Sequence, residues 1–246
     1  MGGLSDRARN WWPWSGSGHG PLPALLVVLT VVTGLVDAVS YVALGHVFVA
    51  NMTGNVVFLG FAVAGVAGLS ATASLASLAA FAAGALAGGR IGTRIGAHRG
   101  RQLRAVTAMG AALVTVAVVV SAGLGQPVSH AARYALIAPL AFAMGAQNAM
   151  ARRLAVPDLT TTVLTLTLTG IAADSRLAGG DGGHPARRLI SVAAMLTGAL
   201  VGALLVLHVD LVLPLAIAAA LMAGTAFTAH RLSTPGADWA KPARPN

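Results

Sequence analysis

The stretch Asn51-Met52-Thr53-Gly54-Asn55, NMTGN, opens a short apolar run at about residues 54–69, and whether that run crosses a membrane decides the fold of the whole chain. Asn51, Thr53 and Asn55 bring amide and hydroxyl groups into one of the most apolar regions of the sequence. Gly54 adds a residue that weakens a helix. Residues 22–44 before it are an apolar run, and another begins near residue 73.

The surrounding composition is that of an integral membrane protein. The 246 residues are 56% hydrophobic and 9% charged, with a mean hydropathy of +0.77, whereas a soluble domain carries roughly 25% charge. Run 22–44 follows Arg7 and Arg9 but is too long for the apolar core of a signal peptide, and further apolar runs follow it, so it reads as a first transmembrane helix. The absence of cysteine excludes disulfides, thiolate metal sites and cysteine nucleophiles. The net charge of +9 lies between apolar runs and in the tails, which points to control of topology and not to a nucleic-acid partner. Fifteen of the sixteen cations are arginine, a usage in keeping with a GC-rich bacterial genome.

Residues 1–20 and 232–246, rich in Gly, Ser, Pro and Arg, read as disordered cytoplasmic tails. Trp11, Trp12 and Trp14 fit an interfacial aromatic belt. Between the tails, six runs are long enough to cross roughly 30 Å of hydrocarbon: about 22–44, 73–97, 104–125, 132–152, 187–208 and 210–230. Two shorter runs, about 54–69 and 160–174, would cover only about 22 Å each as helix.

Charge arbitrates between crossing and not crossing. If both short runs cross, eight spans form two parallel four-helix repeats, and the cations divide nine inside against seven outside. If both are re-entrant or broken helices, six spans remain and the division is fifteen against one, with only Arg133 outside. The second plan satisfies the positive-inside rule, with both termini cytoplasmic.

Internal similarity points the same way. Gly34-Leu-Val-Asp37-Ala38 resembles Gly145-Ala-Gln-Asn148-Ala149 at an offset of 111, the NMTGN head resembles Thr160-Thr161-Thr162 at 107, and Gly84-x-x-x-Gly88 matches Gly198-x-x-x-Gly202 at 114. Repeat 1 is then 21–126 and repeat 2 is 127–231. Three spans is an odd number, so the second repeat is inverted. The expected fold is an all-α polytopic membrane helix bundle of six long spans and two short helices in two inverted repeats.

The polar residues of the spans are the candidate site. Gly34, Asp37, Tyr41 and Gly45 share one face of the first helix. A carboxylate at that depth is costly unless paired, neutralised or wet, so Asp37 is the foremost candidate, as a coupling or solute-contacting group with Arg152 as a partner. Its plainer reading is a structural hydrogen bond or ion pair. Gln147 and Asn148 carry the second half's polar face, as site residues or as interhelical glue. Asn51, Thr53, Gly54 and Asn55, and likewise Thr160, Thr161 and Thr162, head the two short helices. Each head is a helix cap whose exposed N–H groups suit an anionic or strongly hydrogen-bonding solute. Thr165, Thr167 and Thr169 read as tolerance of a bent helix, and His46, near the outer mouth, as a pH-sensitive gate or, more plainly, a bystander. No hydrolase, zinc or nucleotide motif occurs, so neither an enzyme nor a primary pump is expected.

These motifs carry a resemblance. Thr33-Gly34-x-x-Asp37-Ala38-x-Ser40-Tyr41, then NMTGN, Gly145-x-Gln147-Asn148-Ala149, and the threonine-rich stretch from Thr160 to Gly170 together resemble the YoaK-like bacterial membrane proteins. The resemblance covers nearly the whole chain outside the tails, and it implies a small permease-like protein of the bacterial cytoplasmic membrane. It settles no binding residue. The expected function is a secondary transporter for a small anionic or strongly hydrogen-bonding solute in a lipid bilayer, with no cofactor and no metal. A passive channel, and a non-transporting scaffold or lipid-binding protein, are the alternatives.

Overall fold

A computed structural model describes residues 13–14, 18–123, 128–156, 159, 164–180, 185–234 and 237–241. These form eight α-helices, and among the described residues there is no strand. The helices are α1 (Leu22–Ala43), α2 (Met52–Val63), α3 (Ala71–Ile95), α4 (Arg99–Ala122), α5 (His130–Leu154), α6 (Leu164–Ala173), α7 (Pro185–His208) and α8 (Val212–Leu232).

Six of the eight are 21 to 25 residues long, about 32–38 Å at 1.5 Å per residue and enough for the hydrocarbon core. Five of them, α1, α3, α4, α7 and α8, are also apolar enough to cross a membrane. The sixth expected span, α5, has the length, but Pro139, Gln147, Asn148 and three arginines dilute its apolar character. It is accommodated by enclosure: Leu136, Ile137, Leu140, Met144 and Met150 are fully buried. Outward-facing leucines of α7, among them Leu189, Leu196, Leu200 and Leu204, are exposed, as a lipid-facing surface requires.

The first short helix comes out shorter than its apolar run: α2 has 12 residues, about 18 Å, and does not bridge the hydrocarbon. The described part of α6 has 10 residues. α2 ends where Gly65 and Gly68 take φ of +89° and +82°, a conformation that glycine adopts without penalty. The eight-span alternative fails on a second count. Arg99 Nη1 and Nη2 each lie 3.2 Å from His19 Nδ1, Arg99 also donates to the Leu154 carbonyl, and Gly100 lies against Ser233 and Trp239. The starts of α1 and α4 and the ends of α5 and α8 therefore share one end of the bundle, whereas eight spans would put residues 19 and 99 on opposite sides. Every described cation except Arg133 lies at or near that end.

Glycines set the closest packing. α1 packs on α7 and α3 on α5, while α4 lies along α8. A Cβ on Gly34 would come closer than 3 Å to Met195 and Ala199 of α7, and one on Gly198 would do the same at Val31 of α1. On the other helix pair, a Cβ on Gly145 would meet Phe81 and Ala85, and one on Gly84 would meet Phe142. Small residues let the backbones approach where dispersion, rather than the hydrophobic effect, holds helices together in lipid.

Described parts of the terminal segments dock on the cationic end. Trp14 is buried, not belt-like: it is 3% exposed, with the Arg187 guanidinium 5.7 Å above its ring and Arg187 Nε donating to the Pro13 carbonyl at 3.0 Å. Trp239 lies against Gly20 and Gly100. Trp11 and Trp12 lie outside the described residues.

Candidate functional site

Asp37 sits two turns before the end of α1, 4% exposed. Its carboxylate faces the segment that connects α1 to α2. Oδ1 accepts from the backbone N–H of Val49 at 2.9 Å and of Ala50 at 2.8 Å. Oδ2 accepts from the Asn51 N–H at 3.2 Å and from the Asn51 side-chain amide. Asn51, the first of the head residues that the sequence offers to a solute, is thus engaged by an anion of the chain itself, together with the two N–H groups just before it. A buried carboxylate holding four donors is satisfied without a cation.

The expected cationic partner is elsewhere. Gln147 Nε2 of α5 reaches the Leu29 carbonyl at 3.3 Å and Thr33 Oγ1 at 3.1 Å on α1, and Leu154 lies near His19 through Arg99. The two helices therefore run antiparallel. Arg152 is exposed near the cationic end, about 18 Å along the bundle from Asp37 at 1.5 Å per residue. An Asp37–Arg152 ion pair is not formed.

Asn51 occupies the cap position of α2, but its side chain makes no capping hydrogen bond, because that amide is turned to Asp37. Asn55 completes the seam. It is fully buried, its Oδ1 accepts from the Phe48 N–H at 2.8 Å, and its Nδ2 donates to the Phe48 carbonyl at 2.7 Å. Ser77 of α3, a residue that no sequence motif signals, donates to the same carbonyl at 2.6 Å. Gly54 leaves room for an aromatic ring, since a Cβ there would stand 2.6 Å from Phe48. Phe48 stacks between Tyr41 and Phe58, at centroid distances of 5.2 and 5.7 Å, and His46 meets Tyr41 edge-on at 5.1 Å. Thr53 is exposed and takes no part in the seam. NMTGN therefore closes the connection between α1 and α2 from both ends, through Asn51 to Asp37 and through Asn55 to Phe48.

Gln147, in the second half, bonds to α1 before the Asp37 seam. Gln147 is fully buried between α5 and α1, and its Oε1 has no hydrogen-bond partner. Asn148 donates to the Met144 carbonyl of its own helix at 2.9 Å. Thr160, Thr161 and Thr162 lie outside the described residues. Thr165, Thr167 and Thr169 are helical, on α6. The two short helices rest on different long helices, α2 on α3 and α6 on α7.

At the cationic end, burial, followed by the charges of Arg99 and Arg187, holds the His19 imidazole below its ordinary pKa of 6.5. Its neutral ring then accepts from Arg99. This contact joins the segment before α1 to α4 and α5.

Known proteins place the chain among relatives without supplying a reaction. It is similar to the UPF0700 transmembrane protein YoaK of Bacillus subtilis (strain 168), 31% identical over 151 residues, which is 61% of this chain and 65% of that protein. No solved structure matches. A family model described as protein of unknown function (DUF1275) matches residues 25–228. With that match over most of its length and its long apolar helices, the chain is a membrane protein and belongs to the DUF1275 family.

Proposed function

We propose that the protein is a secondary permease, not an enzyme, which moves a small, anionic solute across the bacterial cytoplasmic membrane with both termini inside. The membrane-embedded part is read as two inverted repeats, α1–α4 and α5–α8, that exchange roles during transport. One correspondence carries this reading. The residues that crowd Gly34, Met195 and Ala199, are those that crowd Gly145, Phe81 and Ala85, moved by 114 positions, and Gly34 and Gly145 are themselves 111 apart. Gly198 against Val31 and Gly84 against Phe142 obey the same two offsets. The helix pairs α1–α7 and α3–α5 are thus interchangeable interfaces, as alternating access between two equivalent arrangements requires. Between them, Gln147 presents an unpaired amide oxygen in the middle of the bundle.

Uptake by proteoliposomes tests this reading, with an internal pH reporter and a panel of small organic anions. At least one anion is expected to enter faster than into protein-free liposomes. Folded protein that moves no member of the panel contradicts the proposal. A second reading, a membrane protein that does not transport, is favoured by the Asp37 seam, because a carboxylate engaged by four donors is a fastening. Uptake unaffected by Asp37→Asn would remove Asp37 from the transport step and leave it that structural role alone.

A further inference from the structure

At the end of the bundle opposite the arginine-rich one, α3 and α5 begin side by side. Tyr134 OH and Thr72 Oγ1 lie 2.7 Å apart across them, and Thr72 meets Ser70 Oγ at 3.0 Å. Between these helix starts and the end of α1 is a cavity of about 200 Å³. Its polar wall is Arg133, His130, Tyr134 and Ser70, and its apolar wall is Leu44, Leu69, Ala73 and Ile137. No acidic residue lines it.

Arg133 is the cation that departs from the charge pattern of the chain, and it is here. Its Nε is buried with no hydrogen-bond partner, a state that native structures seldom keep without a reason. The backbone makes room for the guanidinium: Gly45 has a φ of +99°, and a Cβ there would stand 3.3 Å from Arg133 Nη1. Gly45 belongs to the connection fastened further along by Asp37 and Asn55, so the seam holds one wall of the cavity in place.

We propose that this cavity binds a small carboxylate with a short hydrocarbon chain. The planar guanidinium of Arg133 takes the carboxylate, as its fork geometry favours. The Ser70–Thr72–Tyr134 hydroxyl chain uses two of its three protons in its own bonds, which leaves one that Tyr134 or Ser70 can donate to the carboxylate, and the apolar wall takes the hydrocarbon chain. That wall disfavours phosphate or sulfate, whose strong hydration it cannot replace. At roughly 30 Å³ per water-sized group the cavity holds about six or seven such groups, the size of an acid of about three to five carbons. The inference deepens the permease reading by naming the chemistry of its solute, and it rests on that reading for movement across the membrane but not for binding.

The test uses the full chain in detergent, with binding of butyrate, butyramide and inorganic phosphate followed by calorimetry and thermal shift. Butyrate is expected to bind saturably, and butyramide and phosphate at least roughly tenfold more weakly. Arg133→Gln is expected to abolish the preference for butyrate over butyramide, and Arg133→Lys to restore part of it. Leu69→Trp, which fills the cavity without changing charge, is expected to abolish binding and decides the matter if Arg133→Gln does not fold. Absence of butyrate binding, or binding unchanged by Arg133→Gln and Leu69→Trp, overturns the inference. Butyrate that binds in detergent but is not moved in proteoliposomes upholds the site and counts against the permease reading.

Discussion

Asp37→Asn separates a fastening from a coupling group. The substitution is nearly isosteric, but it replaces one acceptor oxygen by an NH2 that faces donors. The surviving oxygen is expected at the Oδ1 position, where it keeps the Val49 and Ala50 bonds of 2.9 and 2.8 Å. The amide nitrogen then opposes the Asn51 N–H and its side chain. Asn51 is only half-buried, so its side chain can turn its own oxygen inward. That leaves one backbone donor unpaired and removes the carboxylate's charge from the remaining bonds. An unsatisfied buried donor costs about 1–3 kcal/mol, and a charge-assisted bond contributes more than a neutral one, so a net loss of about 2–3 kcal/mol is expected. Applied to local opening of the connection, this raises the open population roughly 30- to 150-fold. A cysteine at Val49, which is fully buried, reports it directly, since the chain contains no other cysteine. Thiol labelling of Val49→Cys should be slow alone and accelerate by that factor in the Asp37→Asn background, with a lower Tm. If labelling and Tm are unchanged while uptake is lost, Asp37 is a coupling group and the fastening account is wrong.

The remaining predictions concern packing, pH and the buried amide. Gly88→Ala, whose Cβ would lie closer than 3 Å to Ala146, should destabilise by about 1–3 kcal/mol through overpacking, whereas its neighbour Gly89→Ala, with nothing within 4 Å, should stabilise by about 0.5–1 kcal/mol as a helix-interior glycine replacement. Thermal unfolding in detergent checks both signs. His19 is held below its ordinary pKa in the folded protein, so its contribution to stability is complete above pH about 6.5 and is lost as pH falls through the lowered value. Wild type should therefore lose more Tm than His19→Gln between pH about 7.5 and 5, and equal losses would contradict it. Gln147→Leu removes an amide with an unpartnered oxygen, so stability should change by less than about 1 kcal/mol while uptake falls. A large loss of stability with uptake retained per folded molecule would make Gln147 a packing residue.

Hydropathy and charge made most of the fold legible. The boundaries of α1, α7 and α8 follow their apolar runs within about two residues, because lipid imposes continuous apolar length. α4 begins five residues before its run, at Arg99, since a first turn at the bundle end can carry arginines that no apolar count includes. NMTGN was legible as a polar connection heading a short helix. Its partners were not, because Asp37 reaches Val49 to Asn51 across 12 to 14 positions and only the folded chain shows which donors meet it. The expected pairing of Asp37 with Arg152 failed for a related reason: composition places both on polar faces, but the antiparallel packing of α1 and α5 sends them to different depths. Arg133 stood out in the sequence only as an exception to the charge count. Its cavity depends on three segments converging, which periodicity does not encode.

Single-cysteine accessibility at Ala67 and Ala97 tests the six-span, inverted architecture most directly. Both positions are exposed, one between α2 and α3 and the other between α3 and α4, and the six-span and eight-span plans assign them to opposite sides. With an impermeant thiol reagent on intact cells, the account predicts labelling of Ala67→Cys from outside and of Ala97→Cys only after the membrane is opened. Labelling of Ala97→Cys from outside with Ala67→Cys protected would contradict it.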